Sequence, residues 1–403
     1  MNLLHGANDM NTPIPQGFRL AVAAAGFKKA DRPDLALAVS DVPAAAAGVF
    51  TTNLFKAAPV LVGQRMLQEN KGARAVVINT GQANACTGTE GLANCRRTQE
   101  LVAAVAGLAP ADILPASTGV IGAQLKMDAW QNAMPALKDN LGKASLEEFA
   151  AAIMTTDAFP KFKGEVIDTP RGKVILAGVA KGAGMICPNM ATMLSVVLCD
   201  AAVDPDAWQA MFERAVGQTF NRATVDGDTS TNDTLYGLAN GASGVTLAGP
   251  DLERLEAALV RILADLAYKL VQDGEGATKV MHIRVTGTRH DVEAEQAART
   301  VGHSQLVKTA MYGKDANWGR IVCALGRSGV AFDPAKVTVS LCGVELFKNE
   351  QPTPRDFDAL LKEPLQKRDL QLDISLGDGP GHYTLLASDL THEYVSINAD
   401  YRS

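Results

Sequence analysis

The chain has 403 residues, more than one ordinary hydrophobic core sustains, so two domains are expected. A hydrophobic share of 47% with 20% charged residues marks a globular chain, and a net charge of -6 argues against nucleic acid or an anionic membrane as a main partner. No apolar run has the length of a membrane span, and the polar start Met1–Gln16 lacks both a basic n-region and an apolar h-region, which reads as cytoplasmic. The six cysteines (Cys86, Cys95, Cys187, Cys199, Cys323, Cys342) form no C-x-x-C pair, so neither a disulfide framework nor a zinc site is expected.

Residues 17–62 alternate short apolar runs with Gly and Pro, as in Phe18–Ala23, Leu35–Val39 and Ala44–Phe50 beyond Pro43, and read as strands and hairpins. Ala75–Asn79 reads as a buried strand entering the polar loop Thr80–Gly88. A helix follows over Glu90–Leu108. Next comes Ser117-Thr-Gly-Val-Ile-Gly122. A Thr-Gly pair in a turn can present a hydroxyl and a backbone N–H to one developing oxyanion, although such turns are commonly only structural. Ala129–Leu137 and Ser145–Met154 read as helices, the second opened by the capping box Ser145/Glu148 and closed by the polar Thr155-Thr-Asp157.

Val174–Val179 is a predicted strand leading into Lys181–Asp200. There a loop rich in turn-forming residues (Gly182, Gly184, Pro188, Asn189) changes at Thr192 into the apolar, strand-forming run Met193–Cys199. A cut between Ala191 and Thr192 would leave Thr192 with a hydroxyl and a free amine on a strand, and an N-terminal amine can serve as base for its own hydroxyl. The ordinary alternative is a turn before a core strand. Between His5 and His282 there is no histidine, so this loop has no local imidazole base; a triad through distant His303 or His382 stays open.

Ala207–Val216 is a predicted helix. The polar cluster Asn221–Asp233 follows; its Asp226, Asp228 and Asp233 fit no EF-hand spacing and read as a hydrogen-bonded loop. Asp251–Val271 reads as a long amphipathic helix closing on Asp273-Gly-Glu-Gly276, where Glu275 is placed to hold an amine or simply to face solvent. Lys279–Thr286 is a strand, and the second domain begins near it. That domain carries a helix over Asp291–Thr300, strands at Val337–Leu341 and Leu370–Leu376, and a final strand at Glu393–Ile397.

Taken in order, Asn84–Gly88, Ser117–Gly122, Met154–Asp157, Lys181–Met185, Pro188–Leu194, Thr224–Asp233, Asp273–Lys279, Asn317–Arg320 and Ile397–Ser403 resemble the ornithine acetyltransferase family of arginine biosynthesis over nearly the whole chain. The departures are Thr80, Gln82, Ala158 and Ala387-Ser388, none at a catalytic position the resemblance assigns.

The resemblance implies an α/β (α+β) fold, an αββα-type layered sandwich of the self-cleaving N-terminal-nucleophile-like kind with a smaller C-terminal α/β domain. The structural domains would be approximately 1–280 and 281–403. Autolysis at Ala191–Thr192 would give an α chain, 1–191, and a β chain, 192–403. It further implies Thr192 as nucleophile, Thr118 and Gly119 as oxyanion hole, and substrate contacts from Thr155, Lys181, Thr192, Glu275, Asn398 and Ser403. The implied reaction moves acetyl from N-acetyl-L-ornithine to L-glutamate by a ping-pong route. No cofactor or metal is bound, a heterotetramer of two α and two β chains is expected, and acetyl-CoA stays open as a co-substrate. Two other readings remain at this point: a self-cleaving aminopeptidase or amidase of the same architecture, and a non-catalytic amino-acid-binding protein.

Overall fold

A computed structural model of the chain describes residues 12–28, 31–187 and 193–400. In chain order the elements are β1 (Phe18–Ala23), β2 (Leu35–Phe50), α1 (Ala58–Glu69), β3 (Gly72–Asn79), α2 (Gly88–Ala106), β4 (Ile113–Ser117), α3 (Met127–Asp139), α4 (Leu146–Ala152), β5 (Lys161–Thr169), β6 (Gly172–Lys181), β7 (Leu194–Cys199), α5 (Pro205–Gln218), β8 (Ala223–Thr224), β9 (Thr234–Ala239) and α6 (Pro250–Gln272). They continue with β10 (Val280–Gly287), α7 (Asp291–Gly302), α8 (Gln305–Tyr312), α9 (Trp318–Gly326), β11 (Thr338–Leu341), β12 (Val344–Lys348), β13 (Gln351–Pro352), α10 (Phe357–Leu361), β14 (Asp369–Ser375), β15 (Gly379–Ser388) and α11 (His392–Asp400). The described residues separate into two compact units, 12–221 with 228–270, and 222–227 with 271–400.

The first unit is organised by β2, which joins the two apolar runs on either side of Pro43 into one strand. Its register against β3 shifts between Val39 and Ala44, and a proline, which has no N–H for the ladder, is accommodated at such an irregularity. Along one edge β2 takes two partners in succession, β1 against 35–40 and β9 against 45–50. The sheet order is β4-β3-β2-β9-β7-β6-β5. Period-two alternation then sorts side chains into layers. Leu35, Leu37, Val39, Val77 and Ile113 pack against Trp130, Met134 and Leu137 of α3 and Val102 of α2. Their neighbours Ala36, Ala38, Val76 and Ile78 face inward to Val179, Leu194, Val196 and Leu238 from the other half of the sheet, with Phe149 of α4. On the far side, Gly178 of β6 lies under Ile262 and Leu266 of α6, and Gly237 of β9 under Phe212 of α5. The result is a helix–sheet–sheet–helix sandwich, the α/β layering the family resemblance implies.

The second unit has a seven-stranded sheet, β13-β12-β11-β14-β10-β15-β8. β10 is parallel to β14 and antiparallel to β15, and Ala294, Ala297, Ala298 and Val301 of α7 share its core. One expectation is overturned. Glu393–Ile397, expected as a final strand, lies in helix α11. Thr391 Oγ1 accepts the Tyr394 N–H at 3.3 Å, a side-chain cap that favours the helix over the strand preference of two β-branched residues. No described helix is long and apolar enough to cross a membrane.

Two outcomes follow from this packing. A Cβ on Gly237 would come within 2.2 Å of the Phe212 ring, so Gly237→Ala is expected to cost about 1–3 kcal/mol in a chemical denaturation curve, partly recovered by adding Phe212→Leu. In the second unit, buried Lys308 donates to Val225 O at 2.7 Å and to Ser388 O at 2.5 Å. Burial lowers its pKa to about 8, against the opposing pull of Asp226 and Asp389. Between that value and the unfolded value of about 10.4 the unfolded chain binds the extra proton, so stability rises with pH. Thermal unfolding across this window should show the rise, and Lys308→Met should flatten it.

Candidate active site

Two parallel strands of the first unit end side by side, β3 at Asn79 and β4 at Ser117. Asn79 fixes both exits. Its Oδ1 accepts from Ser117 Oγ at 2.6 Å, its Nδ2 donates to Gln82 O at 3.1 Å, and its carbonyl accepts the Thr118 N–H at 3.0 Å. Gly119, at φ +130°, then crosses Gly81 so closely that a Cβ would stand 2.3 Å from the Gly81 carbonyl carbon. Only glycine fits such a crossing. Bonds from Val120 N–H to Gly81 O (3.2 Å) and from Ala83 N–H to Val120 O (3.0 Å) lock it. Among the described residues the Gly119 N–H donates to nothing, so it is available beside the Thr118 hydroxyl.

Lys181, the last residue of β6, is paired with Leu194 at the start of β7. Its side chain is buried, and Nζ donates to Thr118 Oγ1 at 3.3 Å. Close by, the fully buried Asp157 carboxylate accepts from Lys161 Nζ (2.7 Å) and the Gly182 N–H (2.6 Å) on one oxygen, and from the Thr155 N–H (2.9 Å) on the other. Burial alone would raise its pKa. The Lys161 and Lys181 charges and these hydrogen bonds outweigh burial and hold the carboxyl well below the usual range.

Ala191, Thr192 and Ser403 lie outside the described residues. Their described neighbours Cys187 and Met193 are both held by the polar segment 229–234: Thr229 Oγ1 donates to Cys187 O at 3.2 Å, and the Thr234 N–H to Met193 O at 3.0 Å. The same segment reaches the Thr118–Gly119 turn through Asn232, whose Nδ2 donates to Ala83 O (2.6 Å) and Ser117 O (2.8 Å).

The structure thus brings Thr118, Gly119 and Lys181 together, with Thr155 tied in through Asp157. Glu275 and Asn398 belong to the second unit and meet each other there: Asn398 Nδ2 donates to Glu275 Oε2 at 2.8 Å. The Gly276 turn that carries Glu275 is seated against the start of α11, where Thr391 Oγ1 donates to Gly276 O at 2.9 Å. The two open histidines are also in the second unit, His382 on the surface and His303 half-buried, its pKa pushed down to about 4 chiefly by desolvation and further by nearby Arg299. Among the described residues no cluster of His, Cys, Asp or Glu is placed to hold a metal ion.

Sequence reasoning passed over three positioning side chains, Asp157, Lys161 and Asn232. Asp157 and Lys161 are four apart, but with Pro160 between them and no helix the spacing gave no signal for the ion pair. Asn232 offered none, because its partners lie more than a hundred residues away.

A layered α/β sandwich that sets an N–H with no partner among the described residues and a hydroxyl beside a buried lysine has the donors that an enzyme of the acyl-transfer class uses. The ArgJ family profile matches residues 19–403, and the chain belongs to that family. The arginine biosynthesis bifunctional protein ArgJ of Nitratidesulfovibrio vulgaris is 66% identical over 389 residues, 96% of this chain and 99% of that protein. The protein of the same name from Geobacter sulfurreducens is 45% identical over 391 residues, covering 96% of this chain and 99% of its own. The solved arginine biosynthesis bifunctional protein argJ of Bacillus halodurans is 39% identical with a TM-score of 0.50, covering 52% of this chain and 100% of that chain.

Asp157→Asn would strand the Lys161 ammonium in the core, and its expected cost is about 3–5 kcal/mol by chemical denaturation. The double change Asp157→Leu with Lys161→Met should recover only part of that loss, since the Thr155 and Gly182 N–H groups still lose their acceptor. Because the folded pKa of Asp157 is depressed, its contribution is complete above the unfolded value of about 3.9 and fades as pH falls below it.

Proposed function

We propose that the chain transfers an acetyl group from N-acetyl-L-ornithine to L-glutamate through an acetyl-Thr192 intermediate, after cutting itself between Ala191 and Thr192. In the precursor, Thr192 Oγ attacks the Ala191 carbonyl, the peptide becomes an ester, and water opens it to leave the Ala191 carboxylate and a free Thr192 amine. In the mature enzyme that amine takes the Thr192 hydroxyl proton as Oγ attacks the acetyl carbonyl. Thr118 and Gly119 stabilise the oxyanion, ornithine leaves with the returned proton, and the glutamate amine takes the acetyl group in the second half-reaction. Thr155, Lys181, Glu275, Asn398 and Ser403 hold the amino-acid substrates.

The observation that carries this reading is the register of β6 and β7. It pairs Lys181 with Leu194, so the connection bearing the Ala191–Thr192 bond leaves and re-enters the sheet beside the Thr118–Gly119 turn. A solved family chain matched over its whole length by 52% of this one is about as long as one cleavage fragment, which supports the two-chain form. The relatives' description as bifunctional supports acetyl-CoA as a second acetyl donor for glutamate. A cytoplasmic assembly of two α and two β chains, with no bound cofactor, completes the proposal.

Denaturing electrophoresis with intact-mass analysis should show fragments 1–191 and 192–403 for the wild type and one uncut chain for Thr192→Ala. The acetyl-enzyme formed from labelled N-acetylornithine should break down faster when glutamate is added. Breakdown indifferent to glutamate would make the enzyme a hydrolase instead. Comparing acetyl-CoA with N-acetylornithine as donor, by N-acetylglutamate formed, tests the second activity.

A further inference from the structure

A threonine hydroxyl has one proton and two lone pairs, and a lysine ammonium can only donate. The contact between Lys181 Nζ and Thr118 Oγ1 therefore occupies a lone pair of the hydroxyl and leaves its proton for another acceptor. The Thr118 N–H is already taken by Asn79 O, so the donors this turn can offer are the Thr118 O–H and the Gly119 N–H. A cation on the acceptor side of a hydroxyl draws density out of the O–H bond and strengthens it as a donor, as in any polarised hydrogen-bond chain. Lys181 is held for this task. It ends a strand paired on both sides, its side chain is buried, and the next residue, Gly182, is bonded to Asp157 at 2.6 Å.

We infer that Lys181 is a positioning residue of the oxyanion hole, orienting and polarising the Thr118 hydroxyl toward the carbonyl oxygen that becomes negative. The inference rests on the proposed function and deepens it. A substrate contact by Lys181 can matter only when an amino acid is bound. A role through Thr118 also operates in self-cleavage, where no amino-acid substrate is present. Self-cleavage therefore separates the two roles.

Cell-free synthesis of the full chain, followed by a timed chase on denaturing gels, gives the cleavage rate. Thr118→Val should slow it roughly a hundredfold, the usual loss for one oxyanion donor, and Lys181→Met about tenfold. The double variant should be no slower than Thr118→Val alone, because Lys181 acts through that hydroxyl. Lys181→Arg, which keeps a charged donor, should recover much of the rate. Cleavage of Lys181→Met at the wild-type rate, or a double variant slowed by the product of the two single effects, overturns the inference while leaving the proposed function standing. A wild-type chain that stays whole overturns both. Should Lys181→Met lose its thermal unfolding transition, Lys181→Gln takes its place: a rate between wild type and Thr118→Val supports the inference, and a wild-type rate overturns it.

Discussion

The Asp157 carboxylate is shut away from solvent, so its charge has to be met by donors from the protein, and the donors it collects are the ones the site needs placed. Lys161 neutralises it, while the Thr155 and Gly182 backbone N–H groups close around its two oxygens. A buried pair of this kind adds little net stability over a hydrophobic pair. What it adds is location, since a neighbouring segment that shifted would leave a charge unmet. Through Gly182 the constraint passes to Lys181, and from Lys181 to Thr118.

The glycine crossing at Gly119 and Gly81 is a constraint of the opposite kind, set by exclusion rather than attraction. Two strand exits can approach this closely only where no side chain stands between them, and the closeness leaves a backbone N–H directed away from the ladder. Asn79, which donates and accepts, and Asn232, which donates twice, then bind the exits by their amide groups. In the proposed chemistry these side chains never touch the reacting atoms, yet they set where the oxyanion donors lie.

Much of this was legible in the chain. The runs at Val174–Val179 and Met193–Cys199 became β6 and β7, the Ser145/Glu148 box caps α4, and the Thr118-Gly119 pair stood out because a hydroxyl beside a glycine in a turn is a recognisable donor arrangement. What stayed hidden was of two sorts. α11 was mistaken for a strand because β-branched side chains are a weaker determinant than the Thr391 cap that precedes them. Asn232 was one polar residue in a polar cluster until the fold brought Ala83 and Ser117 to it across long stretches of sequence. Local periodicity reports which face of an element is buried; it carries no record of partners distant in the chain.

The strand order β4-β3-β2-β9-β7-β6-β5 has a consequence for the cut chain. β7 and β9 follow Thr192, yet they lie between β2 and β6, both of which precede it. After cleavage the younger half would be wedged into the middle of a sheet whose flanks belong to the older half, hydrogen-bonded along both edges. Two such pieces are interleaved rather than docked. They would withstand dilution without any covalent tie, and separated halves would have to reopen a formed sheet to find each other again. Topology would then impose the order of events: the chain would fold while whole, and the proposed cut would record that folding had already happened.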